Sequence, residues 1–328
     1  MKNHKYLMIP GPTPVPQMTA LAGSTPMINH RGPEFGELFE EIIQMLKKVL
    51  KTNNTVIIFP SSGTGSMEAV ASNLSNPTEK VLVGVAGAFG ERFVKIFKTV
   101  GANVATVESE PGYPITPDAI MEALHNDPSI TTVVITHNET STGVTMDLKG
   151  IRKAIDNDDI LLVTDAISSA GAIDIETDKW DVDILVTSSQ KAFMTPPGLS
   201  FITISDKAWK RIEKGIPRSY YFDLLNAKKF LERPIPQTPY TPAVSLLYSL
   251  HEALSQLLKE GIENVFRRHE ILAKAVRAGL RGQGLSLLSA DEWASNTVTA
   301  VNFPNRIDGR KLLEILRDRY GVIVGGGQ

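Results

Sequence analysis

Residues 131–166 read TTVVITHNETSTGVTMDLKGIRKAIDNDDILLVTDA. Thr131–Thr136 is β-branched at every position and uncharged, the composition of a strand covered on both faces. A polar loop, His137–Gly143, follows it. Leu148–Ile155 has helical spacing, and Ile160–Thr164 is a second apolar run that stops at a carboxylate, Asp165. Strand, helix and strand in this order make a parallel βαβ unit.

The pattern extends in both directions. Upstream, Thr55–Phe59, Lys80–Val85 and Asn103–Val107 read as strands, and Ser66–Leu74, Gly90–Val100 and Thr116–Leu124 as helices. Downstream, Ile184–Thr187 and Leu199–Ile204 are strands with no helix between them, so one is expected to run antiparallel. The predicted fold class is α/β, with a mainly parallel seven-stranded sheet, helices on both faces and a smaller C-terminal α+β domain. Before the sheet, Phe35, Leu38, Phe39, Ile42, Leu46, Val49 and Leu50 form a helical stripe that begins after Pro33 and stops at Thr52-Asn53-Asn54. Prolines 10, 12, 14 and 16 predict an extended arm, either a stiff surface tail or a segment lying across a partner subunit. Prolines 217, 234, 236, 239 and 242 mark irregular chain over 205–241. Helices follow at Pro242–Glu260, Ile262–Leu280 and Gly309–Tyr320, with short apolar runs at Leu285–Leu288, Thr297–Phe303 and Val322–Val324. The expected division is an arm over 1–16, a large domain over 17–240 and a small domain over 241–328.

Composition narrows the function classes. The 328 residues are 42% hydrophobic and 21% charged, with a formal net charge of −2. A near-neutral balance gives no basis for a nucleic-acid or anionic-membrane partner. No run reaches the ~18 apolar residues of a membrane span, and proline interrupts the N-terminus before a signal-peptide core develops, so the expected location is cytoplasmic. There is no cysteine, which excludes disulfides, thiolate nucleophiles and cysteine-ligated metals.

Ligands of open parallel sheets bind at the carboxyl ends of the strands. Thr55–Phe59 runs into Ser61-Ser62-Gly63-Thr64-Gly65-Ser66 and then a helix, a small-residue turn suited to a phosphate. It is neither a Walker loop nor G-x-G-x-x-G, since Glu68 stands where the third glycine belongs. Asp165 ends one strand, and Ser188-Ser189-Gln190-Lys191 follows the next. Singly these are a helix cap and a solvated cation. Together with the turn they supply a phosphate cup, a partner for a pyridinium nitrogen and an amine able to condense with a carbonyl, the parts of a pyridoxal 5′-phosphate site. Phe89, in Gly87-Ala88-Phe89-Gly90, is either a ring that stacks on a flat cofactor or a core anchor. His137 with Glu139 is a thin metal pair, and no metal site is predicted.

These residues are recognisable as a set. Pro10–Val15, Ser62–Ala69, Gly87–Gly90, Thr136–Val144, Val163–Ala166 and Ser189–Ala192 with Pro196–Gly198 resemble, in order and spacing, the class V aminotransferases of pyridoxal-phosphate fold type I, and within them the alanine–glyoxylate and serine–pyruvate group. The resemblance implies that Lys191 forms the cofactor Schiff base and shuttles a proton, and that Asp165 pairs with the ring nitrogen. It implies phosphate contacts from Ser62, Gly63, Thr64 and Gln190, Thr140 near the ring hydroxyl, Ile167 on one ring face and Phe89 on the other. Thr238 and Thr241 resemble phosphate contacts given by the second subunit, which makes a homodimer the expected assembly. The implied activity moves an amino group from alanine or serine to glyoxylate or pyruvate by ping-pong steps. Cysteine desulfurase chemistry needs a thiolate and drops out. A 2-aminoethylphosphonate–pyruvate transaminase of the same class, a catalytically impaired truncated relative and, on the sheet pattern alone, a nicotinamide oxidoreductase remain as alternatives. The resemblance also implies a strand–helix segment beyond Gln328 with an arginine for the substrate carboxylate. Without it, Arg31 is either the substitute cation or a surface or interface charge.

Overall fold

The chain is described by a computed structural model covering residues 6–76, 78–304 and 307–327. It opens with β1 (Tyr6–Met8), α1 (Gln17–Ala22) and α2 (Pro33–Val49). The alternating region follows as β2 (Thr55–Phe59), α3 (Gly63–Leu74), β3 (Lys80–Val85), α4 (Ala88–Thr99), β4 (Asn103–Glu108), α5 (Pro117–Asn126) and β5 (Ile130–Thr136). A hairpin of β6 (Asn138–Glu139) and β7 (Val144–Thr145) leads to α6 (Leu148–Ala154), β8 (Leu161–Asp165), β9 (Ile184–Ser188) and β10 (Ser200–Ile204). The chain continues through α7 (Asp206–Ile212), α8 (Leu224–Leu231), α9 (Val244–Glu260), α10 (Ile262–Gly282), α11 (Gly309–Arg319) and β11 (Val322–Val324).

Seven strands form one sheet in the order β2-β10-β9-β8-β5-β3-β4. β10 is antiparallel to both of its neighbours, and the other pairings are parallel, as the missing crossover helix predicts. Two antiparallel steps restore direction, so β2 runs the same way as β9. Ser200 pairs with Phe59 on one side and Ser188 on the other, which brings the ends of β2 and β9 to the same edge as the ends of β5 and β8.

Each strand feeds two cores. Val56, Ile58, Val133, Ile135, Leu162, Leu185 and Phe201 face the layer of α2, α5, α6 and α9. Ile57, Phe59, Val134, Leu161, Val163, Val186 and Ile202 face the layer of α3, α4, α7 and α8. The alternation is the period-two geometry of a strand. Each fully buried Phe, Leu or Ile contributes about 1.5–3 kcal/mol relative to exposure, so burial on both faces fixes the register of the whole edge.

Three expectations need correction. Segment 205–241 is not irregular throughout. It holds α7, capped by Ser205 accepting from the Ala208 N–H, and α8, capped by Asp223 accepting from the Asn226 N–H. Local caps overcame the proline punctuation. Leu285–Leu288 and Thr297–Phe303 make one isolated bridge, Leu287 with Val301, rather than two strands. Residues 6–13 are not a free tail. β1 pairs in parallel with β11, and the following residues dock on the loop after β9. α1 was not foreseen, because six residues behind a proline give too little periodicity to read.

Phe201 on β10 is fully buried and meets Phe193 edge-to-face at 5.3 Å. Phe201→Ala is expected to lower the unfolding free energy by about 3–5 kcal/mol, read from urea denaturation. A loss below about 1 kcal/mol would contradict this packing.

Candidate active site

The residues that the sequence singled out gather at the carboxyl edge. Thr136 is paired with Asp165, and Asp165 with Val186, so the loops after β5, β8 and β9 leave side by side. Asp165 is 3% exposed, and its Oδ1 accepts the Ile167 N–H at 2.8 Å. Burial, aided by the nearby Glu139 charge, raises its carboxyl to about 7, while the Ile167 hydrogen bond and the Arg92 and Lys191 charges work in the opposite direction. Burial lowers the Lys191 amine, the Asp165 charge pulls it up, and Arg92 pushes it down further, leaving a net depression. Each group feels the other's charge. Lys191 Nζ donates to the Pro10 carbonyl at 2.6 Å. The Thr13 N–H donates to Gln190 O at 3.0 Å, and the Thr13 hydroxyl to Lys191 O at 3.0 Å. A methyl group at Gly11 would lie 2.6 Å from Lys191 Cδ and Nζ, and Gly11 has φ +134°, a conformation that glycine alone adopts without strain.

The turn after β2 is built around close approach. Ser62 is extended and precedes α3, whose first residues are Gly63 and Thr64. A methyl group at Gly63 would lie 2.5 Å from Ile167 Cδ1 and 3.1 Å from Ser188 Oγ. The N–H groups of Gly63 and Thr64 find no acceptor among the described residues. Ser188 Oγ and Gln190 Oε1 are buried without hydrogen-bond partners. An edge lined with orphaned donors and acceptors is suited to a polar ligand.

Phe89 sits in the first turn of α4. The buried Glu139 carboxylate accepts the N–H groups of Phe89 and Gly90, each at 3.2 Å, together with the Ser141 N–H and hydroxyl. Ser141 Oγ in turn accepts the Ala88 N–H at 3.0 Å. Glu139 is therefore a helix cap and not a metal ligand. His137 is buried, its Nδ1 is 2.9 Å from Ser169 Oγ, and burial lowers it to about 3, so it is neutral. Among the described residues there is no cluster of three or more His, Asp or Glu that could hold a metal.

Thr140 Oγ1 donates to Ser168 Oγ at 2.8 Å, one residue beyond Ile167. Thr238 and Thr241 lie on the segment before α9, and no hydrogen bond among the described residues links them to this group. Thr238 Oγ1 donates to Tyr240 O, and its carbonyl accepts Arg31 Nη1 at 2.6 Å. Thr241 is exposed. Arg31 also donates to Gln237 Oε1 at 3.1 Å, so it tethers the 237–238 segment. Sequence reading missed Arg92. Its guanidinium lies 4.6 Å from the Phe89 ring centroid and its Nη1 donates to Thr64 Oγ1 at 3.5 Å. The Phe89-x-x-Arg92 spacing on one helix was the signal available.

Residues 16–328 match the family described as Aminotransferase class-V. A relative from Methanocaldococcus jannaschii, described as an uncharacterized aminotransferase, is 42% identical over 325 residues, which is 99% of this chain and 84% of its own length. A serine–glyoxylate aminotransferase from Methylorubrum extorquens is 37% identical over 337 residues, 99% of this chain and 83% of its own. Among solved structures, an alanine–glyoxylate aminotransferase from Nostoc sp. superposes with a TM-score of 0.95 at 30% identity, covering all of this chain and 87% of that one. No described helix is long and apolar enough to cross a membrane.

The raised Asp165 carboxyl carries a sign. A folded-state value of about 7 against an ordinary 3.8 means that the folded protein holds a proton the unfolded chain has lost. That contribution to stability is complete below about pH 4 and is lost as pH rises towards 7. Asp165→Asn in cofactor-free protein is expected to match wild type near pH 4 and to exceed it near pH 8. The gain should be on the order of 4 kcal/mol at most, measured as thermal unfolding against pH. Parallel curves would refute the burial argument.

Proposed function

Since the chain belongs to the class-V aminotransferase family, we propose that it takes the amino group from alanine or serine and delivers it to glyoxylate or pyruvate, with pyridoxal 5′-phosphate as cofactor. The observation that carries the proposal is the placement of Asp165 at the end of β8 and of Lys191 in the loop after the adjacent β9, each feeling the other's charge, beside a helix N-terminus with unused N–H groups. The fold family's cofactor fits these residues: the Ser188 hydroxyl is orphaned beside the turn, and Gly63 leaves room against Ile167. When bound, pyridoxal phosphate supplies an electron-withdrawing ring and a reactive carbonyl carbon.

The residues divide the work. Gly63 and Thr64 N–H groups, with the Ser62 and Gln190 side chains nearby, would bind the phosphate. Phe89 and Ile167 would close the two ring faces and exclude water, and Thr140 would meet the ring hydroxyl. Asp165 would hold a proton on the ring nitrogen, since a buried carboxylate is stabilised by a cation at contact distance. Lys191 Nζ, with its affinity for protons lowered by burial, would take the α-proton of the amino acid as a base and return it as an acid to the new carbon position. Thr238 and Thr241 would reach the phosphate of a second copy, which would make the homodimer the working unit.

Purified protein is expected to develop a visible absorption band on adding pyridoxal phosphate, and to show ping-pong kinetics with alanine or serine as donor and glyoxylate or pyruvate as acceptor. Lys191→Ala should lose the band and at least roughly a thousandfold in kcat. Unchanged turnover in that variant would overturn the proposal.

A further inference from the structure

Arg92 is a half-buried cation with no ion pair among the described residues. The buried carboxylates of this edge do not serve as its counter-ion. Glu139 is saturated by three backbone N–H groups and the Ser141 hydroxyl. Asp165 feels the Arg92 charge without lying within ion-pair distance of it. A guanidinium removed from water without a counter-ion is costly. Yet Arg92 is held in one place by the face of Phe89 at 4.6 Å and by Thr64 Oγ1 at 3.5 Å.

The Thr64 contact is informative. A hydroxyl that accepts from a guanidinium keeps its own hydrogen free to donate. That hydroxyl stands on the first turn of α3, beside the acceptor-less N–H groups of Gly63 and Thr64 and the fully buried, unpartnered Ser188 Oγ. All of these groups suit one ligand type: a compact anion with several acceptor oxygens and about two negative charges.

We propose that Arg92 is the cation of this anion site, neutralising a phosphate monoester at the α3 N-terminus and orienting the Thr64 hydroxyl to donate to it. The inference rests on the reading of the edge as a pyridoxal-phosphate site and adds to it a charged phosphate partner outside the turn itself. Phe89 then has two tasks: one part of its ring surface carries the guanidinium, and the remainder is left for a flat ligand.

The test is a comparison of ligands that differ only in the phosphate. Dissociation constants of pyridoxal phosphate and pyridoxal are measured by absorbance titration on cofactor-free wild type, Arg92→Gln and Arg92→Lys. Inorganic phosphate serves as competitor and salt is varied. Arg92→Gln is expected to weaken pyridoxal phosphate roughly tenfold or more and to leave pyridoxal within about twofold. Inorganic phosphate should compete less well and the salt dependence should flatten. Arg92→Lys should recover part of the loss, because it restores the charge without the planar fork. Equal weakening of both ligands would assign Arg92 to holding the ring and overturn the proposal, as would no weakening of either. A wild type that binds neither ligand would overturn the functional reading itself, whereas normal wild-type binding with an unaffected Arg92→Gln overturns this inference alone.

Discussion

Asp165 is a carboxyl group taken out of water at the end of a central strand, and the architecture of the edge follows from what that group needs. With one backbone N–H as its side chain's partner and Glu139 adding negative charge nearby, the carboxyl is held far from its ordinary acidity. Two cations answer it at a distance, Lys191 and Arg92. They differ in how they are held. Lys191 is tied by its amine to a carbonyl and by its backbone to Thr13, while Arg92 rests on an aromatic face. A charge balance of this kind works only because the strands on either side are buried on both faces and cannot slip by a residue.

Much of this was legible in the sequence, and the reasons are local. β5, α6 and β8 are strongly patterned, and a run such as Ile184–Ser188 has no alternative use than a buried strand. The positions of Asp165 and Lys191 follow from strand ends, which periodicity places to within a residue or two. The antiparallel course of β10 followed from the missing crossover. What stayed hidden depends on pairings between distant segments. Glu139 caps α4 across 49 residues, and nothing in the motif around it distinguishes a cap from a metal ligand. Arg92 reads as one more surface arginine until α4 is set against α3. The docking of Pro10–Thr13 on the loop after β9 spans about 180 residues, and a proline-rich arm carries no mark of where it will lie.

The polar groups between β5 and the C-terminal part of the chain form a second layer behind the site. Ser168 accepts from Thr140 and from Asn138 Nδ2, and Asn138 reaches Thr297 at 3.1 Å. Arg277, nearly buried in α10, donates to Ser295 O, and the Ser295 N–H to Gly143 O. The loop that carries Thr140 is thereby fastened to residues from the last third of the sequence. Its hydroxyls are held by a satisfied network and not by apolar packing, the arrangement that fixes side-chain orientation most narrowly.

The parallel pairing of Tyr6–Met8 with Val322–Val324 has a mechanical consequence. β1 is joined on one side to β11 and, within five residues, to the amine of Lys191 through the Pro10 carbonyl. Ile9 alone separates the end of β1 from Pro10. Residues 6–10 thus connect β11 to the Lys191 amine directly, by strand pairing at one end and a hydrogen bond at the other, without passing through the large sheet.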